Sequence, residues 1–236
     1  LERVHGNRRA FARAKLSYLK SNDKVVQLQG SRSYHVKYKN VLCAKCNNER
    51  TQAYDQAYDT LMSFVESNRA ELLRRRQIDF AQVYGSTWRR SQLDLYKYFV
   101  KAFGCRIYDA YSEVPEDFRL TLNDAQTYDR VAVCFAVNED ELARSESEQQ
   151  ALRIGHVIHN ETAHGSPYYP RRYATANYYR WLLISYWYGW GPYGPVGEPW
   201  FNERQFLCLG SYLAAESKSQ VSREDGSLFL WTGFET

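Results

Sequence analysis

The sequence predicts an α+β fold: a small N-terminal hairpin-plus-helix unit of zinc-binding type, connecting helices, and a mostly antiparallel β C-terminal domain. Three observations predict it. Apolar residues between 51 and 76 recur with the 3.6-residue period of an α-helix. Beyond Gly104 that period gives way to short apolar runs separated by turn residues. Between a hairpin-like stretch and the first long helix stands Cys43-Ala-Lys-Cys46, a spacing at which two thiolates can clamp one zinc ion. The division that follows is 1–76 for the basic zinc-type unit, 77–104 for the connecting helical segment and 105–236 for an aromatic-rich α+β domain.

In chain order, residues 8–20 read as a short helix with Phe11, Leu16 and Leu19 on its apolar side. Residues 24–29 and 34–38 read as two strands, and 30–33 supply a hairpin loop. A helix over 51–76 comes next, its stripe formed by Tyr54, Ala57, Tyr58, Leu61, Met62, Val65, Leu72 and Leu73. Arg74, Arg75 and Arg76 suit its C-terminus, where cations oppose the negative end of the helix dipole. A second helix is expected over 91–103, with Ser91 as N-cap, Leu93, Tyr96, Phe99, Val100 and Phe103 facing inward, and Gly104 as its stop. Strand-like runs then occur at 105–109, 131–137, 152–159, 173–188, 205–210 and 228–232. They surround an acidic stretch at 138–148 and a turn-rich one at 191–199.

The 236 residues are 44% hydrophobic and 25% charged, a composition that excludes disordered, collagen-like and disulfide-dense chains. Twenty tyrosines within an aromatic content of 16% favour strands and large contact surfaces. The most apolar stretch, 181–188, falls well short of the ~20 residues of a membrane-spanning helix. No signal-peptide run precedes it, so no membrane partner is expected. The first residue is Leu1 rather than methionine, which suggests a processed product or a fragment. Cysteines stand at 43, 46, 105, 134 and 208; an odd, mostly scattered set points to a reducing, cytoplasmic compartment. Cys134 and Cys208 lie within apolar runs and read as small buried residues.

Charge is uneven. Residues 1–50 hold twelve Lys or Arg against three acids, an excess of nine, whereas the remaining 186 hold nineteen against twenty-four. A basic front on a mildly acidic remainder points to an anionic partner, nucleic acid first, with Arg8, Arg9, Arg13, Arg32, Lys37 and Lys39 as its phosphate contacts.

The order hairpin, CxxC, long helix suits a treble-clef zinc site, in which the second ligand pair sits at the helix N-terminus. A redox CxxC would instead follow the strand of a βαβ unit. The stretch Asn40-Val-Leu-Cys-Ala-Lys-Cys-Asn47 resembles the second half of the HNH nuclease motif, over about 30 residues, 24–55. In that family an Asn precedes a hydrophobic pair, then CxxC, with His or Asn directly after. The resemblance implies that Asn40 orders the ββα-metal loop and that Asn47 ligates a catalytic divalent metal such as magnesium. It implies that Cys43 and Cys46 form half of a structural zinc site. Two features depart from the family. No Cys precedes Cys43, and the upstream histidines, His35 and His5, stand five and 35 residues before Asn40 without an acidic neighbour directly in front. The missing ligands are expected upstream of Leu1. His35 is the one histidine near the motif that could take a proton from water, and the chain as it stands is expected to be a poor nuclease or none.

Other clusters are read more plainly. His156, His159, His164 and Glu161 read as ordinary strand and loop residues, because strand positions three apart face opposite sides. The aromatic run 178–190 reads as a central strand buried on both faces rather than as a stacking platform for bases. The leading function is a nucleic-acid-binding protein resembling HNH endonucleases, with a degenerate or incomplete catalytic site. The alternative is a non-catalytic interaction protein that uses the aromatic β domain as its contact surface.

Overall fold

A computed structural model of the chain describes residues 17–19, 25–27, 42, 45–111, 113–123, 131–145, 153–154, 157–160, 172–189, 198–200 and 203–213. The fold is α+β, mostly helical toward the N-terminus and rich in strands toward the C-terminus. The chain forms two compact units. One comprises 1–131 with 200–208, the other 132–199 with 209–236.

In chain order the first unit contributes β1 (Ser17–Leu19), β2 (Val25–Gln27), a π turn at Cys46–Arg50, α1 (Gln52–Ser67), α2 (Arg69–Arg75), β3 (Gln77–Asp79) and α3 (Phe80–Tyr84). After one 3₁₀ turn it continues with α4 (Trp88–Tyr111) and α5 (Glu116–Asn123). The chain enters the second unit through β4 (Val131–Asn138). It then forms α6 (Glu139–Leu142), β5 (Arg153–Ile154), β6 (Ile158–Asn160), β7 (Arg172–Tyr179), β8 (Leu182–Tyr188) and β9 (Glu198–Pro199). It returns to the first unit for β10 (Phe206–Cys208) and to the second for β11 (Gly210–Tyr212).

The first hairpin lies earlier than the sequence suggests. Ser17–Leu19 is a strand, not the end of a helix, and it pairs antiparallel with Val25–Gln27, Tyr18 opposite Val26. The sequence between them, with Ser21, Asn22 and Asp23, is as rich in turn formers as the expected loop at 30–33. The expected strand at 34–38 lies outside the described residues.

The expected helix 51–76 is two helices. Asn68 divides them: its backbone N–H and its Nδ2 both donate to the Phe64 carbonyl, at 3.0 and 2.9 Å, which closes α1. An asparagine that competes for backbone partners ends a helix that its neighbours would continue. The stripe holds across the break, with Ala57, Leu61, Met62, Val65 and Leu72 buried. Arg76, at φ 53°, takes the left-handed conformation that ends α2.

Gly104 does not stop the second helix. Helix α4 runs on to Tyr111, so the expected strand at 105–109 is helical. Cys105 and Ile107 alternate with Arg106 and Tyr108, which imitates a strand period. In the helix, however, Phe99, Val100, Phe103, Cys105 and Ile107 are all buried. A helix covered on nearly every side shows no clean 3.6-residue pattern. Gly104 serves packing instead: a Cβ there would lie 3.2 Å from Phe118 Cδ1 of α5. Helices α1 and α4 pack against each other, with Tyr58 stacked on Tyr98 at 4.0 Å between centroids. Trp200 fills an aromatic hub with Phe80, Tyr96 and Phe99, and its indole N–H donates to Gln92 Oε1 at 3.2 Å. The strands β3 and β10 form a two-stranded antiparallel ribbon, Ile78 opposite Leu207.

Among the described residues the second unit holds a seven-stranded sheet in the order β11-β4-β8-β7-β5, with β6 also on β7 and β9 on β4. The pair β11–β4 is parallel; β4–β9, β5–β7, β6–β7 and β7–β8 are antiparallel. The expected single run at 173–188 is the hairpin β7–β8, which turns at Arg180 (φ 52°) and Trp181. The runs at 152–159 and 205–210 are each divided as well, the second between the two units. The acidic stretch begins as α6, capped by Asn138 Oδ1, which accepts from the Glu141 N–H at 3.3 Å. One face of the sheet packs Ala136, Ala176, Tyr178, Leu183 and Tyr212 together. The expected run at 228–232 lies outside the described residues. Among the described residues no helix is long and apolar enough to cross a membrane.

Candidate functional site

The part of the predicted site that is described lies at the start of α1. Cys46 is the first residue of the π turn and is half-buried; Asn47, Glu49 and Arg50 are exposed. A π turn makes the chain wider than an α-helix and is often found where a side chain must be re-aimed. Here it leads through Thr51 into α1, so Cys46 and Asn47 lie in the turn that precedes the helix.

Side chains from two other helices hold the turn. The Thr51 hydroxyl donates to the Asn47 carbonyl at 3.1 Å. Lys101 of α4 sends its ammonium to the Thr51 hydroxyl at 3.1 Å and to Asp55 Oδ1 at 2.5 Å. The lysine is 8% exposed and its carboxylate partner 43%, so the cation sits inside and the anion at the rim. Arg50 donates to Asn123 Oδ1 at 3.2 Å and the Tyr54 hydroxyl to the Leu122 carbonyl at 3.3 Å, tying the turn and α1 to the end of α5. Burial, followed by the negative charge of Asp94, pushes the Tyr54 hydroxyl above its usual range, against the pull of Arg50.

Along α4, Lys97, Lys101 and Cys105 are spaced four apart and all buried. The Lys97 ammonium lies 5.8 Å from the centroid of the Tyr54 ring, and the Lys101 ammonium 5.5 Å from that of Tyr98. Burial pushes the Cys105 thiol up to about 11, although Lys101 and Arg106 oppose the shift. A thiol so raised is neutral near pH 7 and is neither a nucleophile nor a ready metal ligand.

Of the predicted metal ligands, Cys46 and Asn47 are described. Cys43 lies outside the described residues, as do His35, Asn40, Arg8, Arg9, Arg13, Arg32, Lys37 and Lys39. Among the described residues no group of three or more His, Cys, Asp or Glu could hold a metal ion. His159 lies in β6 opposite Tyr173, while His156, His164 and Glu161 lie outside the described residues. Within this aromatic run Leu182–Tyr188 is a buried strand, as its contiguous apolar residues suggest, but the expected single strand over 178–190 is broken by the turn at Arg180 and Trp181, and Trp190 lies outside the described residues.

Sequence reasoning missed the Lys101–Thr51–Asp55 group. A signal was present: two lysines four apart interrupt the apolar series Leu95, Tyr96, Phe99, Val100 and Phe103. A cation at the centre of an inward-facing helix must find a partner. Compared with known proteins, the chain matches no family model, no curated protein and no solved structure.

Proposed function

We propose that the chain is a nucleic-acid-binding protein of the reducing cytoplasm. Its basic first fifty residues contact phosphates, and Cys43 and Cys46 hold a structural zinc ion at the head of α1. The single observation that carries this reading is the charge: an excess of nine cations over residues 1–50. The position of the half-buried Cys46 thiol, at the first residue of a turn braced from α4 and α5, supports the zinc part. Zinc there would stabilise the local fold, with thiolates as ligands at about 2.3 Å.

Catalysis is proposed to be degenerate or incomplete. Asn40 and Asn47 can ligate a magnesium ion but neither accepts a proton, so His35 is the one candidate base near the motif. The test is a titration of labelled duplex and single-stranded oligonucleotides at several salt concentrations, with plasmid cleavage in magnesium or manganese followed in parallel. Affinity should fall steeply with salt, because bound phosphates release counterions. Charge reversal at Arg8, Arg9 and Arg13 should weaken binding with little sequence preference. Binding that ignores salt, or no binding at low salt, would leave the interaction-protein alternative. Strong cleavage abolished by His35→Ala would make His35 a general base and restore the nuclease reading.

A further inference from the structure

We infer that Lys101 is a positioning residue for the Cys46–Arg50 turn and acts through Thr51. The cobalt arm of the test below rests on the proposed zinc site; the thiol arm does not.

The inference follows from the proton inventory. An ammonium only donates, whereas a threonine hydroxyl has one proton to give and two lone pairs to receive. Lys101 donates to Thr51 Oγ1 at 3.1 Å, so the hydroxyl accepts there and its single proton is committed to the Asn47 carbonyl, also at 3.1 Å. Lys101 is itself fixed by Asp55, one helical turn beyond Thr51. Lys101 thus donates to Asp55 on one side and to Thr51 on the other, and Thr51 donates its own proton to the Asn47 carbonyl, so the series ends on the backbone next to Cys46. It links α1 to α4 across fifty residues of sequence.

This arrangement is more than is needed to start a helix. Thr51 makes no side-chain capping bond to an N–H of α1. Its hydroxyl points back along the chain, to the turn. A buried lysine is also a costly way to pack two helices, since an apolar side chain would fill the same space without desolvating a charge. What the lysine supplies is direction: it sets which way the Thr51 hydroxyl faces. The bond falls on the Asn47 carbonyl, one residue from Cys46; loss of groups that hold a metal ligand in place typically lowers metal affinity by roughly 10–100-fold.

The experiment uses the full chain and four variants: Lys101→Met, Thr51→Val, the double variant and Thr51→Ser. Two quantities are read. One is the alkylation rate of Cys46 by iodoacetamide, resolved by mass spectrometry. The other is cobalt(II) affinity, from thiolate-to-cobalt absorption, with Cys46→Ser as the blank. Lys101→Met and Thr51→Val should each raise the Cys46 rate severalfold and weaken cobalt binding roughly tenfold or more. The double variant should be no worse than either single one, because both break the same series. Thr51→Ser keeps the hydroxyl and should match the parent. Thr51→Val removes no charge, so a change there is not an electrostatic effect on the thiol, and it serves if Lys101→Met does not fold.

An unchanged Cys46 rate in Lys101→Met and Thr51→Val would overturn the inference. So would effects that add in the double variant, or a Thr51→Ser that behaves like Thr51→Val. If the parent gives no thiolate-to-cobalt band, the zinc reading fails, and the alkylation rates alone decide the role of Lys101.

Discussion

Gly104→Ala is expected to destabilise the first unit by about 1 kcal/mol, the opposite of what a glycine inside a helix usually predicts. In a free helix interior, alanine is favoured over glycine by about 1 kcal/mol. The Cβ at 104, however, would stand 3.2 Å from Phe118 Cδ1 and 3.6 Å from Val114 Cγ1. The Phe118 ring has little room to retreat: it is 2% exposed and packs edge-on against Phe103 at 5.4 Å. Overpacking of this kind costs typically ~1–3 kcal/mol. Taking about 2 kcal/mol for the crowding and subtracting the helix gain leaves a net loss of about 1 kcal/mol. The cause is separable by a double-mutant cycle. With Phe118→Leu in the background the ring edge is gone, and the same Gly104→Ala change should become neutral or stabilising. Urea unfolding followed by far-ultraviolet circular dichroism reports mainly on the helices, and among the described residues all but the short α6 lie in this unit. A Gly104→Ala chain more stable than the parent, or equal effects of the change in both backgrounds, would refute close approach as the reason for glycine.

Two further predictions follow from named positions. Cys105, buried and raised to about 11, should resist alkylation near pH 8, while Cys208, exposed rather than buried as its apolar run suggests, reacts readily; equal rates in a site-resolved labelling experiment would contradict the burial. Arg180, exposed at φ 52° in the β7–β8 turn, should gain from a residue that tolerates the left-handed region. Arg180→Asn is expected to stabilise the sheet unit by roughly 0.5–1 kcal/mol, measured by denaturant unfolding read from tryptophan fluorescence, and a loss of stability would count against the turn.

What was legible in the sequence followed from how each element is buried. Helix α1 has one wet side, so Ala57, Leu61, Met62 and Val65 showed its period openly. Helix α4 is covered nearly all round from Phe99 to Ile107, so this stretch lost its period and its later part read as a strand. There a glycine, the usual sign of a helix end, marked a close contact between helices. The run 173–188 was legible as strand because it is rich in aromatic residues and holds the contiguous apolar Leu182, Leu183 and Ile184. Its turn was not, because Arg180 and Trp181 are not turn formers by type. At the proposed site, local spacing suggests the CxxC and Asn47. Lys101 could not be assigned a partner, since Thr51 and Asp55 stand 50 and 46 residues away and only the packing of α1 on α4 brings them together.

The groups around the turn also distinguish holding a partner from reacting with it. Asn47 and Arg50 offer an amide and a guanidinium, neither of which takes a proton from water near neutral pH. The Thr51 proton is committed to the Asn47 carbonyl, and Asp55 is engaged by Lys101. On the proposed reading, the Cys46 thiolate gives one lone pair to zinc. The turn is braced by its neighbours, and Glu49, exposed on the same turn, is its one carboxylate. On the proposed reading, binding and hydrolysis therefore depend on different residues. Charge reversal at Arg8, Arg9 and Arg13 would remove both, because phosphate must be held before it is cut. Replacing His35 would remove only hydrolysis, and any cleavage that survives its loss would direct the search for a base to Glu49.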